Sequence, residues 1–306
     1  FTCQHQCRHL PMVVIPWPRP SARRRVPITM GPMSAFSRWV VIVSGFLLTV
    51  LAYQAAWPWL YSEVGMYGPT VFQATHPAEA VAAMLAATVV ASIICVTIAK
   101  QISGLAGLIV VGAALGWAGL GLSPMRDVLF HGSAGLVAAD GFAWAIVVLG
   151  LAWRTLSRCG PCDDVHPETG HDPTDPLTSP EALKMLVAGL ASLPVVWLVA
   201  QSYFRGQTLA ATILGGVAAG LVGRLWSPNV QPVLLPLGVM LSGTMACWVA
   251  AAMLPEAVDR AYATGDVSNL VLPTPVDWAA GALCGVALGF AWGKGFLRHD
   301  EATAAA

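Results

Sequence analysis

The sequence contains little charge. Asp, Glu, Lys and Arg together make up 10% of its 306 residues, and the 16 basic residues equal the 16 acidic ones in number. Proteins that bind nucleic acid concentrate positive charge on one surface, so this balance excludes a nucleic-acid partner. A soluble globular domain carries about 25% charged residues. The shortage of charge therefore excludes the soluble globular class as well.

Apolar residues dominate instead. Hydrophobic residues make up 56% of the chain, and the mean hydropathy is +0.67. A segment that crosses a bilayer must be a helix of about 20 mainly apolar residues, because no backbone polar group can stay unpaired in hydrocarbon. We therefore predict an all-α, multi-pass integral membrane protein with eight transmembrane helices, whose first partner is the lipid bilayer. The eight stretches are 38–57, 79–99, 102–122, 132–153, 183–204, 207–226, 231–254 and 276–296.

Lys and Arg are distributed unevenly between the predicted connecting segments. If the N-terminus is cytoplasmic, only Arg126, Arg205 and Arg260 lie outside, and the other basic residues lie on the cytoplasmic side. Basic residues that flank transmembrane helices are retained in the cytoplasm. We therefore predict that both termini are cytoplasmic and that the protein lies in the plasma (inner) membrane.

The chain divides at a polar segment near its middle. Residues 30–153 hold the first four predicted helices and residues 181–306 hold the last four, with a polar cytoplasmic loop, 154–180, between them. Residues 1–29 start with Phe and combine Pro residues with an Arg-rich run shortly before a candidate start at Met30. We expect this first segment to be a disordered or non-native extension.

The two halves share an internal repeat. A shift of 104 residues superimposes the third predicted helix on the sixth and continues into the next helix. The unit is helices two to four (79–153), repeated as helices five to seven (181–254). The alternative is that helices rich in small residues share Gly and Ala by composition alone. The matched pairs include Gly112 with Gly216, Gly116 with Gly220, Ser123 with Ser227, Pro124 with Pro228, and Trp144 with Trp248.

A unit of three helices enters the membrane from the opposite side in its second copy. Inverted repeats of this 3+3 kind are typical of secondary transporters, in which the two copies can exchange conformations. Within each copy, two glycines four residues apart flatten one helix face and allow another helix to approach closely. We therefore predict a helix-packing role for Gly112, Gly116, Gly216 and Gly220.

Asp140 is the only acidic residue well inside a predicted membrane helix. It follows His131 by nine residues, or about 13.5 Å of helix, which places it near the middle of the bilayer if the helix begins there. An ionisable group at this depth is costly unless it serves a function, so we predict that Asp140 and its repeat equivalent, Thr244, take part in transport. The alternative is that Asp140 and Gly141 form a break or a cap within the helix.

The polar loop contains the pattern C-x2-C-x3-H-x4-H, formed by Cys159, Cys162, His166 and His171. Thiolates and imidazoles at this spacing suit zinc, and the cytoplasm would keep the thiols reduced. The Cys-Gly-Pro-Cys sequence also occurs at thioredoxin-type redox sites, but those need a βαβ fold for which this loop is too short. The alternative to a zinc site is a hydrophilic linker, because the loop is also rich in acidic residues. We expect no other cofactor.

These features favour one function over its rivals. A carrier for a small solute or ion, with proton coupling at Asp140 as one mechanism, agrees with the inverted repeat. A non-transporting membrane scaffold or assembly factor agrees with the scarcity of polar groups inside the predicted helices. We expect no enzyme activity, because no set of acid, base and metal ligands converges in the sequence. The oligomeric state stays open, a homo-oligomer included.

Overall fold

The computed structural model describes residues 34–62, 67–68, 70–125, 134–159, 176–253 and 268–304. Over these residues the secondary structure is helical, and extended pairing is limited to two isolated β-bridges in the connection between the first two helices. The all-α prediction is therefore confirmed for the described part of the chain. The predicted extension, 1–29, lies outside the described residues.

Six described helices are long and apolar enough to cross a membrane, and two further apolar helices contribute the segments Gly104–Gly119 and Leu234–Val249. Each of the eight predicted stretches overlaps one of these helices, but eight membrane crossings are not confirmed. The chain thus has helices compatible with a polytopic membrane protein, and six helices of its described part meet both the length and the hydrophobicity of a bilayer crossing. The six are Ala35–Leu60, Pro77–Gln101, Gly135–Ser157, Pro180–Val199, Arg205–Trp226 and Pro275–Phe296, the last of which is called the last span below.

The secondary structure consists of α-helices joined by short 3₁₀ turns and one π-helical segment, Gly281–Gly285, which joins the two α-helices of the last span. The 3₁₀ turns are Trp57–Leu60, Val71–Gln73, Gly189–Ala191 and Asn269–Val271. In the described residues the α-helices are α1 (Ala35–Ala56), α2 (Pro77–Gln101), α3 (Gly104–Gly119), α4 (Ala134–Cys159), α5 (Pro180–Ala188), α6 (Ser192–Val199), α7 (Arg205–Trp226), α8 (Leu234–Met253), α9 (Pro275–Ala280) and α10 (Val286–Ala304).

Several helices begin at a hydroxyl residue that caps the first turn. Ser34, Ser103, Ser179 and Thr274 each accept a hydrogen bond from the backbone N–H three residues further on. These bonds satisfy N–H groups that have no partner within the helix itself. They define the starts of α1, α3, α5 and α9, and the cap at Ser103 turns the chain from α2 directly into α3.

The fifth predicted membrane helix is divided into α5 and α6. The 3₁₀ turn Gly189–Ala191 separates them, and Pro194 follows in the first turn of α6. Pro194 has no N–H to donate to the carbonyl of Leu190, and its ring prevents that carbonyl from adopting regular α-helical geometry. The break therefore falls where the proline requires it.

Large apolar side chains cover the outside of the helix bundle, among them Phe36, Trp39 and Leu51 of α1 and Leu198 of α6. On a soluble protein such a surface would promote aggregation, whereas in a bilayer it faces lipid. The last span is the opposite case, because every residue from 275 to 287 is buried. It packs against α3 and α7 and forms the centre of the bundle.

Hydrogen bonds between elements sort the helix ends into two groups. At one end, called the Arg205 end, the guanidinium of Arg205 at the start of α7 donates to the carbonyl of Gly119 at the end of α3, at 2.7 Å. At the opposite end, the hydroxyl of Ser227 after α7 donates to the carbonyl of Glu181 at the start of α5, at 3.3 Å. Neighbouring helices therefore run in opposite directions through the bundle.

The two copies of the predicted repeat differ in the structure. α3 has 16 residues, whereas its predicted equivalent α7 has 22. The matched tryptophans also differ in environment, because Trp144 is 4% exposed and Trp248 is 52% exposed. The repeat is therefore not confirmed by helix length or by burial.

Candidate functional site

The described parts of the connection between α1 and α2, residues 57–62, 67–68 and 70–76, fold back onto the Arg205 end of the bundle. Within its described part, the amide of Thr75 donates to the carbonyl of Tyr61 at 2.9 Å and closes the connection on itself. The carbonyl of Tyr67 accepts a bond from the amide of Ser123, just after α3, at 3.0 Å. This connection, called the α1–α2 loop, is thereby held against the helices.

The α1–α2 loop places a backbone amide on the predicted transport residue. The N–H of Val71 donates a hydrogen bond to the carboxylate of Asp140 in α4. Asp140 is 1% exposed, and its Oδ2 has no hydrogen-bond partner in the described part of the chain. One oxygen of this buried carboxylate is therefore bound by the loop, and the other is left with unused acceptor capacity.

α4 is continuous through Asp140 and Gly141, from Ala134 to Cys159. The alternative of a helix break at these residues is therefore wrong, and the amide that binds Asp140 comes from the loop rather than from its own helix. Measured from Ala134, Asp140 lies about 9 Å along the helix. His131, the residue from which the depth of Asp140 was predicted, lies outside the described residues.

Thr244 lies on α8 directly opposite the residue that follows Asp140. A Cβ atom added to Gly141 would lie 2.6 Å from the Oγ1 of Thr244, so the two helices are in close contact at this level. Thr244 is buried, and its hydroxyl donates to the carbonyl of Met240 at 2.9 Å. The two predicted transport residues therefore belong to facing helices, and a glycine allows that approach.

The four glycines predicted to pack helices all contact the last span. On α3, a Cβ atom at Gly112 would lie 2.8 Å from the Cβ of Leu283. On α7, a Cβ atom at Gly220 would lie 2.5 Å from the carbonyl oxygen of Val286. The last span thus lies between the glycine-rich faces of α3 and α7. The other two glycines of this set are Gly116 and Gly216.

The last span carries its own row of glycines, which sequence reasoning missed. A Cβ atom at Gly285 would collide with the carbonyl oxygen of Ile213, and one at Gly289 would collide with that of Val217. Two helix backbones can approach this closely only where side chains are absent. The four-residue spacing of glycine was the signal available in the sequence. The row consists of Gly281, Gly285, Gly289 and Gly293.

The predicted zinc ligands are only partly described. Cys159 is the last residue of α4, which continues into the segment predicted as a loop from Arg154. Cys162, His166 and His171 lie outside the described residues. Within the described ranges, no group of three or more His, Cys, Asp or Glu residues could hold a metal ion.

A buried ion pair at the Arg205 end also escaped sequence reasoning. The guanidinium of Arg205 donates to the Oδ2 of Asp277 in the last span at 2.7 Å, and the two side chains are 11% and 1% exposed. The same oxygen accepts bonds from the amide of Thr274 at 2.9 Å and the hydroxyl of Thr208 at 3.1 Å. Together with the bond from Arg205 to Gly119, this pair joins α3, α7 and α9.

The local sequence explains the position of Asp277. Thr274 caps α9, Pro275 occupies the first helical position, and Asp277 completes a capping box with the amide of Thr274. A Thr three residues before an acid, followed by an apolar run, is the sequence signature of such a box. The signature indicates the helix start, but the pairing with Arg205 depends on the packing of α7 beside α9.

The described residues therefore contain two buried polar centres near the Arg205 end. The Arg205–Asp277 pair is neutral as a unit and connects helices, as a structural ion pair does. The Asp140 carboxylate has no cationic partner among the described residues and has an unused oxygen. Comparison with protein-family models, curated proteins and solved structures finds no match to this chain.

Proposed function

We propose that the protein is a carrier that moves a small solute or ion across the plasma (inner) membrane, with Asp140 on the transport path. The observation that carries this proposal is the buried Asp140 carboxylate, whose Oδ2 has no partner in the described part of the chain. Leaving a buried polar atom unpaired costs about 1–3 kcal/mol, and more for a charged group. The Asp277 carboxylate also has an unpartnered oxygen, Oδ1, but Arg205 balances its charge, whereas no described Lys or Arg pairs with Asp140.

The proposal includes eight membrane crossings with both termini in the cytoplasm. The alternation of helix ends supports it, since Arg205 meets Gly119 at one end and Ser227 meets Glu181 at the other. The two further apolar helices, α3 with 16 residues and α8 with 20, also pack within the bundle. On this proposal the Arg205 end faces the outside.

Reporter fusions test this topology. A phosphatase that is active only outside the cytoplasm should be active when fused after Ser268 and inactive when fused after Pro173. The reverse pattern would contradict both the orientation and the inversion of the repeat.

The proposal also retains the 3+3 inverted repeat. Its support is the sequence correspondence and the packing of α4 against α8, the final helices of the two units. Elements on either side of a pseudo-two-fold axis are expected to meet in this way. The contact between Gly141 and Thr244 lies within this packing.

Substitution of Asp140 by Asn tests the carrier. Asn has nearly the same size and keeps an oxygen for the Val71 amide, but it cannot gain or lose a proton. In liposomes containing a pH-sensitive dye and supplied with a panel of small solutes, we expect the wild type to show solute-dependent proton flux and Asp140→Asn to lose it. Glu79→Gln, at an exposed acid in the first turn of α2, is the matched control and should behave as the wild type.

The competing function is a non-transporting scaffold or assembly factor. The backbone-to-backbone packing between α7 and the last span favours it, because such contacts leave these helices little room to move. The same liposome assay separates the two functions. If the wild type moves no proton with any solute, or if Asp140→Asn matches it where flux is seen, the carrier mechanism at this residue is wrong.

A further inference from the structure

The α1–α2 loop brings a second unpartnered oxygen close to Asp140. Thr70 directly precedes Val71, whose amide binds the Asp140 carboxylate. Consecutive Cα atoms are about 3.8 Å apart, so the backbone of Thr70 lies beside this hydrogen bond. Thr70 is 1% exposed, and its Oγ1 has no hydrogen-bond partner among the described residues. One unpartnered oxygen therefore belongs to Asp140, and the other belongs to the residue next to its hydrogen-bond partner Val71.

Gln73 extends this polar group. It is the last residue of the 3₁₀ turn Val71–Gln73, which begins at the residue whose amide binds Asp140 and follows Thr70 directly. The Nε2 of Gln73 is buried and has no partner in the described part of the chain. Rotation of the Gln73 side-chain amide by 180° places its carbonyl oxygen where Nε2 lies.

The charge of this group selects the kind of ligand. The carboxylate of Asp140 is its only acidic member, and no described Lys or Arg is paired with it. An anion would be repelled, and a divalent ion would keep an uncompensated positive charge in a medium of low dielectric constant. A single positive charge balances the carboxylate, and the hydroxyl and amide oxygens can replace part of the water around the ion.

We propose that Asp140, Thr70 and Gln73 form a binding site for a small monovalent cation, such as Na⁺, K⁺ or ammonium. The α1–α2 loop closes this site from the Arg205 end, and the Val71 amide orients the Asp140 carboxylate so that its Oδ2 is available to the ion. The inference rests on the proposed carrier function, because it names the ion class that the transport residue takes. It requires binding at equilibrium and can therefore be tested without any transport.

Thermal unfolding of the full chain in detergent tests the site. NaCl, KCl and NH₄Cl are each titrated against choline chloride at constant ionic strength, because an ion that binds only the folded protein raises its Tm. We expect at least one of the three small cations to raise the Tm of the wild type. Asp140→Asn should abolish the response, and Thr70→Val should weaken the apparent affinity roughly two- to tenfold through loss of one ligand.

Thr49→Val is the matched control. Thr49 is also fully buried, but its hydroxyl is satisfied by the carbonyl of Gly45 in α1, at 2.8 Å, so this variant should keep the wild-type response. If no cation raises the Tm above choline, or if Asp140→Asn responds as the wild type does, the site is wrong. Equal responses of Thr70→Val and Thr49→Val would remove Thr70 from it.

The Tm measurement tests the cation site independently of the liposome assay, which tests transport. Cation-dependent stabilisation that needs Asp140, without flux in liposomes, would support the site and contradict transport. Flux that needs Asp140, without any cation response, would support transport and overturn the cation site in favour of a proton alone. Because Thr70→Val retains Asp140, it tests the site even if Asp140→Asn does not fold.

Discussion

Removal of the Asp277 carboxylate is expected to destabilise the protein strongly. Its Oδ2 accepts bonds from Arg205 at 2.7 Å, the Thr274 amide at 2.9 Å and the Thr208 hydroxyl at 3.1 Å. In Asp277→Ala the guanidinium of Arg205 stays buried and keeps only neutral acceptors, among them the carbonyl of Gly119. Breaking a buried pair in this way costs about 3–5 kcal/mol.

Two further variants separate this effect from a general sensitivity of the bundle. In Arg205→Met/Asp277→Leu no charge is left unpaired, and replacement of a buried pair by apolar residues is often neutral. The double variant should therefore be more stable than Asp277→Ala. Glu79→Ala removes an exposed acid from the first turn of α2 and should cost about 0.3–1 kcal/mol through the helix dipole.

Unfolding in mild detergent, followed by circular dichroism and tryptophan fluorescence, measures these differences in the free energy of unfolding. The expected order of stability places Glu79→Ala and the double variant near the wild type and Asp277→Ala last. Equal losses in Asp277→Ala and Glu79→Ala would show that the ion pair contributes nothing beyond an exposed charge. A double variant less stable than Asp277→Ala would refute the argument from uncompensated charge.

Two other predictions concern packing and metal binding. Gly285→Ala should lower the free energy of unfolding by about 1–3 kcal/mol, because its methyl group would press on the backbone of α7. Gly295→Ala is the control and should change this free energy little, because the space at its Cβ position is open. Equal effects of the two substitutions would contradict the close packing. The wild type, purified under reducing conditions, should hold about one zinc-like divalent ion per chain and Cys159→Ser/Cys162→Ser should hold less. Equal metal content in the two proteins would identify the segment as a linker.

Much of the fold could be predicted from local sequence. A membrane helix satisfies its own backbone hydrogen bonds, so length and hydrophobicity are sufficient to locate it. Each predicted stretch therefore overlaps an apolar helix of the described residues, six of which are long and apolar enough to cross a membrane. The bilayer-crossing length was harder to predict, because α3 ends at Gly119 and the residues that follow it form a turn.

The candidate site could be predicted only in part. Asp140 was identifiable because an acid inside an apolar run is rare and costly. Thr70 and Gln73 gave no comparable signal, since both lie in a polar connection where hydroxyl and amide side chains are ordinary. The bond between Val71 and Asp140 joins residues far apart in the chain and exists only because the α1–α2 loop folds back onto α4.

The sequence by itself determined the membrane class of this protein, the positions of its apolar helices and the residues at which several of them begin, because these properties depend on neighbours within one or two turns. The tertiary structure alone decided that the last span is central, that Arg205 pairs with Asp277, and that the loop reaches Asp140. Each of these contacts links helices whose mutual approach is set by packing of small residues and by burial of charge. Hydrophobic periodicity carries no information about which helix faces which, so such contacts appear only once the helices are assembled.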